Sequence, residues 1–505
     1  MILQSDGRYD YCVFDAELPG WFANWRAAVS AGKKETLVLV ALCCLIHGVA
    51  CGEDWPWFLG PRHTGESGET DLKPDWTSGQ PPVLWKQRVG TGYSAPSVLG
   101  DRLVVHFREG DEEVVSCRRR SDGAELWSHR YKSDFVDPYG YNNGPRCSPV
   151  LTEQFCFTLG AEGMLCCVRL QDGGLVWSND LRESFDLPEW FFGVGCSPLL
   201  DGDRLIVLVG GQPDSGVVAF DRRDGQVLWK HVGKETWDGF ETSEGEAYRW
   251  TGEEMVVSYS SPLIASFHGR RHLLCLVRQG LVSLDPETGE QQFRYWFRAR
   301  VHESVNAARP VVIGDRILLS AAYQVGSALL EVDEGGRSVT EVWRDRRNLL
   351  AHWSTPIVVG DYVYGFSGRH ENEGELKCLR VSDGEVIWST AGYDADLTTL
   401  RMNRTTGRVV DSATGKEIPY PFFGRGSLTR IGDRFVILGE RGTIAVADVS
   451  QEAYRERGRF FLEEIDSPAW VAPVISGGMM FLRSEKWLVC LDLKAPGTAA
   501  VSAQK

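Results

Sequence analysis

Basic residues are the minority charge: 54 Lys and Arg stand against 69 Asp and Glu, a formal charge of −15. That balance argues against nucleic acid as a partner, which rewards dense Lys/Arg faces. The one basic cluster, Arg118-Arg119-Arg120, reads as a solvated strand end. Long helical heptads are missing, and so are a P-loop, a nucleophile elbow and a zinc signature. Methionine is scarce, with none between Met1 and Met164.

No apolar run is long and well enough flanked to read as a confident spanning helix. The best candidate, "TLVLVALCCLIHGVAC", follows Lys33-Lys34 and ends in small residues, the layout of a secretory signal. Residues 33–52 are therefore expected to be a signal peptide. Residues 1–32 read as an extension that is not native, with a start near Val29 at a non-ATG codon. Cys51 follows "GVA" and offers a site for lipid attachment; plain cleavage is the alternative. Thirteen cysteines, four of them at or before Cys51, leave an odd nine, so no disulfide framework is forced.

What the chain does have is 18 Trp, 55 Gly and a repeat. "SDGAELW" (Ser121–Trp127) returns as "QDGGLVW" (Gln171–Trp177), "RDGQVLW" (Arg223–Trp229) and "SDGEVIW" (Ser382–Trp388). A second signal, a small residue, then Pro and aliphatics, recurs at Pro96, Pro149, Pro198, Pro262, Pro310, Pro356 and Pro473. Successive gaps are 53, 49, 64, 48, 46 and 117; the last is two periods, bridged by "GSLTR" at Gly426. Each unit reads as four short antiparallel strands, with Asp-Gly as the hairpin before the fourth. Eight such units describe an all-β, eight-bladed propeller.

The last unit lacks a fourth strand, and "PPVLWKQRV" (Pro81–Val89) stands unassigned upstream with its Trp85. The two ends are expected to share one blade and close the ring, which removes exposed sheet edges. The organisation is then a lead-in over 53–82, the propeller over 83–493 and a polar tail over 494–505. Trp85, Trp127, Trp177, Trp229 and Trp388 are expected to wedge between neighbouring blades. Cys117, Cys167, Cys378 and Cys490 fill small-residue slots and read as buried apolar groups.

"AFDRRDGQVLW" (Ala219–Trp229) resembles the pyrroloquinoline-quinone-type propeller repeat, and "SLDPETGEQQF" (Ser283–Phe293) is similar. The chain thus resembles the quinoprotein-like propellers, BamB-like outer-membrane lipoproteins among them. That resemblance implies two functions. One is a non-catalytic exported platform for an envelope protein, peptide or glycan, a monomer with no cofactor and in a periplasmic or lipid-anchored setting. The other is a dehydrogenase oxidising an alcohol or sugar. It would hold the quinone between a Trp and a vicinal disulfide, with calcium on Glu, Asn and Asp. The only adjacent cysteines in the propeller, Cys166-Cys167, fall in "GMLCCVRL", a strand that does not offer the strained loop peptide such a disulfide needs. The platform is the preferred reading.

Topology separates short turns on one face from longer loops on the other, and loops over a rigid scaffold carry function. The loop residues that would ring the channel mouth are Tyr141, Asn142, Asn143, Arg146, Trp190, Phe191, Phe192, His302, Glu303, Asn306, His352, Trp353, Arg369, Arg425 and Trp470. Aromatics mixed with Asn, Arg, His and Glu suit a ligand pocket. Satisfying backbone groups and plugging the channel is the competing role for the same residues. No spacing supports a metal site. Two insertions, Glu235–Met255 and Tyr393–Arg425, should overhang this face, the first as a contact surface.

Overall fold

Asp-Gly turns and Trp-bearing strands assemble as their spacing predicts. The computed structural model describes residues 52–69, 71–187, 192–233, 237–241, 246–250, 258–299, 304–393, 397–402, 409–418 and 420–494. Cys51, the expected signal peptide up to it, the expected extension before it, Trp190, Phe191, His302, Glu303 and the expected tail beyond Lys494 lie outside these residues. Eight antiparallel sheets of four strands follow one another over 97–132, 150–180, 199–231, 263–296, 311–345, 357–390, 427–461 and 474–492. We number them blades 1 to 8. The fourth strand of blade 8 is Val83–Arg88, paired antiparallel with Trp487–Asp492 so that Trp85 lies opposite Cys490. Among the described residues no helix is long and apolar enough to cross a membrane.

The repeat works across blade boundaries. In every outer strand the ladder slips by one residue, as at Leu175/Trp177 in blade 2 and at Val83/Trp85 in blade 8. Such a bulge re-aims a side chain. It turns the Trp inward while its neighbours stay in solvent, and Trp127, Trp177 and Trp229 are all buried. Each indole then donates to a carbonyl of the next blade: Trp85 to Arg120 (2.9 Å), Trp127 to Leu170 (2.9 Å), Trp177 to Arg222 (3.0 Å), Trp229 to Pro286 (3.2 Å) and Trp388 to Ser450 (3.0 Å). Trp343 does the same to Val381 at 2.8 Å without an Asp-Gly before it.

The Asp-Gly turn is the receiving half of this joint. Gly225 holds φ +73°, and a Cβ there would stand 2.7 Å from the Trp177 ring of the preceding blade. One heptapeptide thus serves two interfaces, its Gly facing the blade before and its Trp the blade after. The Ser of the Ser-Pro motif links the inner strands in the same way. Ser197 and Ser261 hydroxyls accept from the Ser148 and Ser197 amides, both at 2.9 Å. The nine cysteines of the described residues are buried and free.

The lead-in segment does what no repeat could announce. Trp55 exchanges two backbone hydrogen bonds with Val98 on the innermost strand of blade 1 (2.9 and 2.8 Å). Leu151 of blade 2 donates to the Pro56 carbonyl at 3.0 Å, and Trp57 donates back to Leu151 at 3.1 Å. Glu66–Ser67 then adds a parallel fifth strand to the inner edge of blade 7. Residues 55–67 therefore fill the centre, where the inner edges would otherwise leave unpaired backbone. Glu69 accepts from the amides of Gly477 and Gly478 in blade 8, at 2.6 and 2.7 Å.

Both insertions form small sheets. Trp237–Glu241 pairs with Glu246–Trp250, and Leu400–Met402, Val409–Asp411 and Lys416–Ile418 make a three-stranded sheet.

Candidate ligand cavity

All eight connections into a blade's first strand contribute to one cavity of about 570 Å³ on the loop face. Tyr93 comes from the entry to blade 1, Tyr141 and Arg146 from blade 2, Phe192 from blade 3 and Tyr259 from blade 4. Val305, Trp353, Arg425 and Trp470 come from the entries to blades 5, 6, 7 and 8. Phe58 of the lead-in forms part of the lining, so the lead-in contributes to the cavity from the centre.

The walls are a chain of aromatic contacts. Tyr93 meets Trp470 at 4.8 Å between centroids, Trp470 meets Trp353 at 4.9 Å, Trp353 meets His352 at 4.9 Å and His352 meets Tyr323 at 5.3 Å. Across the mouth, Phe192 touches Tyr139 at 5.0 Å and Tyr141 at 6.0 Å. Offset and edge contacts of this kind favour one arrangement of the rings.

Carboxylates beneath the walls set the cations. Glu440 is buried and takes the Arg425 guanidinium on both oxygens, the Arg425 amide at 3.0 Å and the Trp470 indole at 3.0 Å. Arg425 is thereby held over Trp353 and Trp470, 4.8 and 5.1 Å from their centroids. Asp137 accepts from Arg146 at 2.8 Å and from the amides of Tyr139 and Asn142. Arg369 lies 4.5 Å over the Tyr323 ring. His352 Nε2 meets the Tyr323 hydroxyl at 3.2 Å. Burial, with Arg425 and Arg369 nearby, lowers its pKa to about 3, so the ring is neutral at pH 7.

The structure thus brings together Tyr141, Arg146, Phe192, His352, Trp353, Arg369, Arg425 and Trp470. It places the three asparagines elsewhere. Asn142 donates to Thr91 (2.7 Å) and Glu485 (2.6 Å), and Asn143 accepts from the Asp137 amide. Asn306 donates to the carbonyls of Val277 and Phe297 at 2.9 and 3.0 Å. These amides satisfy buried backbone and side-chain groups and are not part of the lining. Tyr93, Tyr259, Tyr323 and Phe58 line the cavity as well, and nothing in their sequence context marks them.

A family model described as outer membrane protein assembly factor BamB matches residues 110–390 and, overlapping, 241–494. The chain belongs to that family. BamB of Moraxella catarrhalis is a solved structure similar to it: 14% identity, 82% of this chain, 98% of that chain, TM-score 0.51. A quinohemoprotein alcohol dehydrogenase of Comamonas testosteroni is similar too: 11% identity, 89% of this chain, 82% of that chain, TM-score 0.53. Likeness at this identity shows the fold, which BamB-type and quinone-dependent propellers share. No curated protein sequence matches.

The residues do not fit the quinone and calcium that the dehydrogenase likeness implies. Cys166 and Cys167 are paired on both sides, Cys166 with Thr158 and Ser178, Cys167 with Phe157 and Trp177. They point to opposite faces of the blade, as successive strand residues must, and both are buried free thiols. Among the described residues no three His, Cys, Asp or Glu side chains converge as a cation cage. The carboxylates at the cavity, Asp137 and Glu440, are each occupied by an arginine.

Proposed function

We propose that this BamB-type propeller is an exported, non-catalytic binding platform that engages a partner protein through the loop face around its centre. One observation carries the reading: all eight blade entries converge on a single preformed cavity walled by Tyr, Trp and Arg. Those three residue types dominate the energetics of protein interfaces. Tyr139 and Tyr141 stand at its rim 46% and 54% exposed, too open for side chains that serve the core. The signal-like stretch at 33–52 supports export, and so does membership of a family described as an outer membrane protein assembly factor.

Site-specific photo-crosslinking in the producing cell tests this. A photoreactive residue at Tyr141 is expected to give a discrete protein adduct, while one at Asp315 on the turn face gives none. Adducts from Asp315 alone would overturn the assignment of the working face. Saturable one-to-one binding of pyrroloquinoline quinone with calcium, abolished by Trp470→Ala, would replace the platform with the dehydrogenase.

A further inference from the structure

Arg369 differs from the other arginines of the cavity. Arg146 is neutralised by Asp137 and Arg425 by Glu440. Among the described residues no carboxylate lies within ion-pair distance of the Arg369 guanidinium, whose one ring contact is Tyr323. Arg369 lines both the main cavity and an adjoining one of about 330 Å³, so it stands where the two meet. Two more guanidinium groups lie behind the walls. Arg309 and Arg483 are buried, and bond carbonyls of Pro262 and of Ser94 and His106 instead of carboxylates. In a chain of charge −15, the centre of the loop face thus gathers five guanidinium groups; Arg369, Arg309 and Arg483 form no ion pair among the described residues, although Glu373 accepts from the Arg369 amide and Glu485 acts on Arg483.

The inventory of polar groups points the same way. The charged groups of the lining are guanidinium donors, its phenols, serines and His352 can donate or accept, and its one carboxylate, Asp137, is already occupied. A complementary ligand must bring acceptors. The backbone is spent on holding this arrangement. Tyr323 and Gln324 carry φ +59° and +64° in the turn between the second and third strands of blade 5. Two successive non-glycine residues in the left-handed region store strain, and strain of this kind persists where surrounding structure enforces a functional geometry. Here it presses the Tyr323 ring against Arg369 and His352.

We propose that the partner presents an acidic, aromatic peptide segment, its carboxylate on Arg369 and its apolar side chain in the cavity toward Phe58. This rests on the platform reading and names the chemistry of its partner. A cavity of about 570 Å³ with Phe58 of the chain's own lead-in in its lining suits the tip of a loop or a chain end. The exposed Tyr139 and Tyr141 would cover the flanking backbone. A glycan fits less well. Arg425 lies over both Trp353 and Trp470, so the two largest rings of the cavity are engaged by a cation where a sugar ring would stack.

The test is fluorescence anisotropy on the full chain with labelled pentapeptides SFEFS, SFQFS and SFKFS, and with an oligo-glucuronate of similar length. SFEFS is expected to saturate one-to-one. It should bind ~10-fold or more tightly than SFQFS, as a charge-assisted hydrogen bond requires, and SFKFS should not bind. Arg369→Gln should erase the preference for Glu over Gln, and Arg369→Lys should restore part of it. An unchanged melting curve for both variants excludes misfolding as the cause. Equal binding of SFEFS and SFQFS, indifference to Arg369→Gln, or saturation by the glucuronate alone would each overturn the proposal. If the peptides fail while Tyr141 still crosslinks a protein, the acidic-segment assignment falls and the platform stands; if both fail, both fall.

Discussion

Gly225 and Tyr323 both hold a positive φ, and the difference between them separates the two faces of this molecule. At Gly225 the conformation is free of side-chain strain, and it recurs in other blades because the next structural need is always the same: room for a Trp from the blade before. At Tyr323 the conformation is costly, and with Gln324 it makes a successive pair of left-handed non-glycine residues that aims a ring at Arg369 and His352. The turn face repeats cheap solutions to one packing problem, with His268 (φ +48°) as its non-glycine exception. The loop face carries single, strained or desolvated solutions, each answering to its own neighbours. Repetition marks what holds the ring, and its absence marks what the ring holds.

Substitutions should sharpen this contrast. The largest effect is expected on the repeated side: Trp177→Ala removes a buried wedge together with its bond to Arg222, and should cost about 3–5 kcal/mol in chemical denaturation. Next, Gly225→Ala and Gly314→Ala share a left-handed φ, yet only the first places its Cβ against a Trp; Gly314 has open space around it. Gly314→Ala should cost about 1 kcal/mol from the backbone alone, and Gly225→Ala clearly more. A cost at Gly225 no larger than at Gly314 would break the joint described here. The smallest effect has the opposite sign. Gln324 is exposed with φ +64°, so Gln324→Gly should raise the melting temperature slightly, equivalent to about 0.5 kcal/mol. The repeated turn-face positions already held by glycine, such as Gly100 and Gly314, offer no such gain.

The fold was legible because the same local chemistry is written many times. Blade count, strand order and the Val83–Arg88 strand that completes blade 8 all follow from the period and its missing last member. The site was legible in part. Trp353, Arg425 and Trp470 were found because aromatics and arginines just before a Ser-Pro strand have no repeat role. Tyr323 was not, because its strained turn sits between two ordinary strands and sequence carries no mark of φ. Trp343 escaped because the turn before it is Asp333–Ser338, held by Asp333 accepting from the amides of Arg337 and Ser338, with no Asp-Gly. Asn142 and Asn306 show the converse limit: an amide that binds a ligand and one that satisfies a carbonyl look identical in sequence. The role of residues 55–67 was invisible, since their partners lie up to several hundred positions away.

That last distance has a temporal meaning. Synthesis delivers Trp55 and Glu69 first, but Gly477 and Gly478, which hold Glu69, arrive more than 400 residues later. Val83–Arg88 waits as long for Trp487–Asp492. Until then a growing chain is an open row of blades with a bare strand edge at its head and two tryptophans, Trp55 and Trp57, ahead of it. Contacts of such separation form late and slowly. The central segment is therefore among the first parts made, and its final seat among the last completed, so C-terminal truncation should leave an adhesive, unsealed array rather than a smaller propeller.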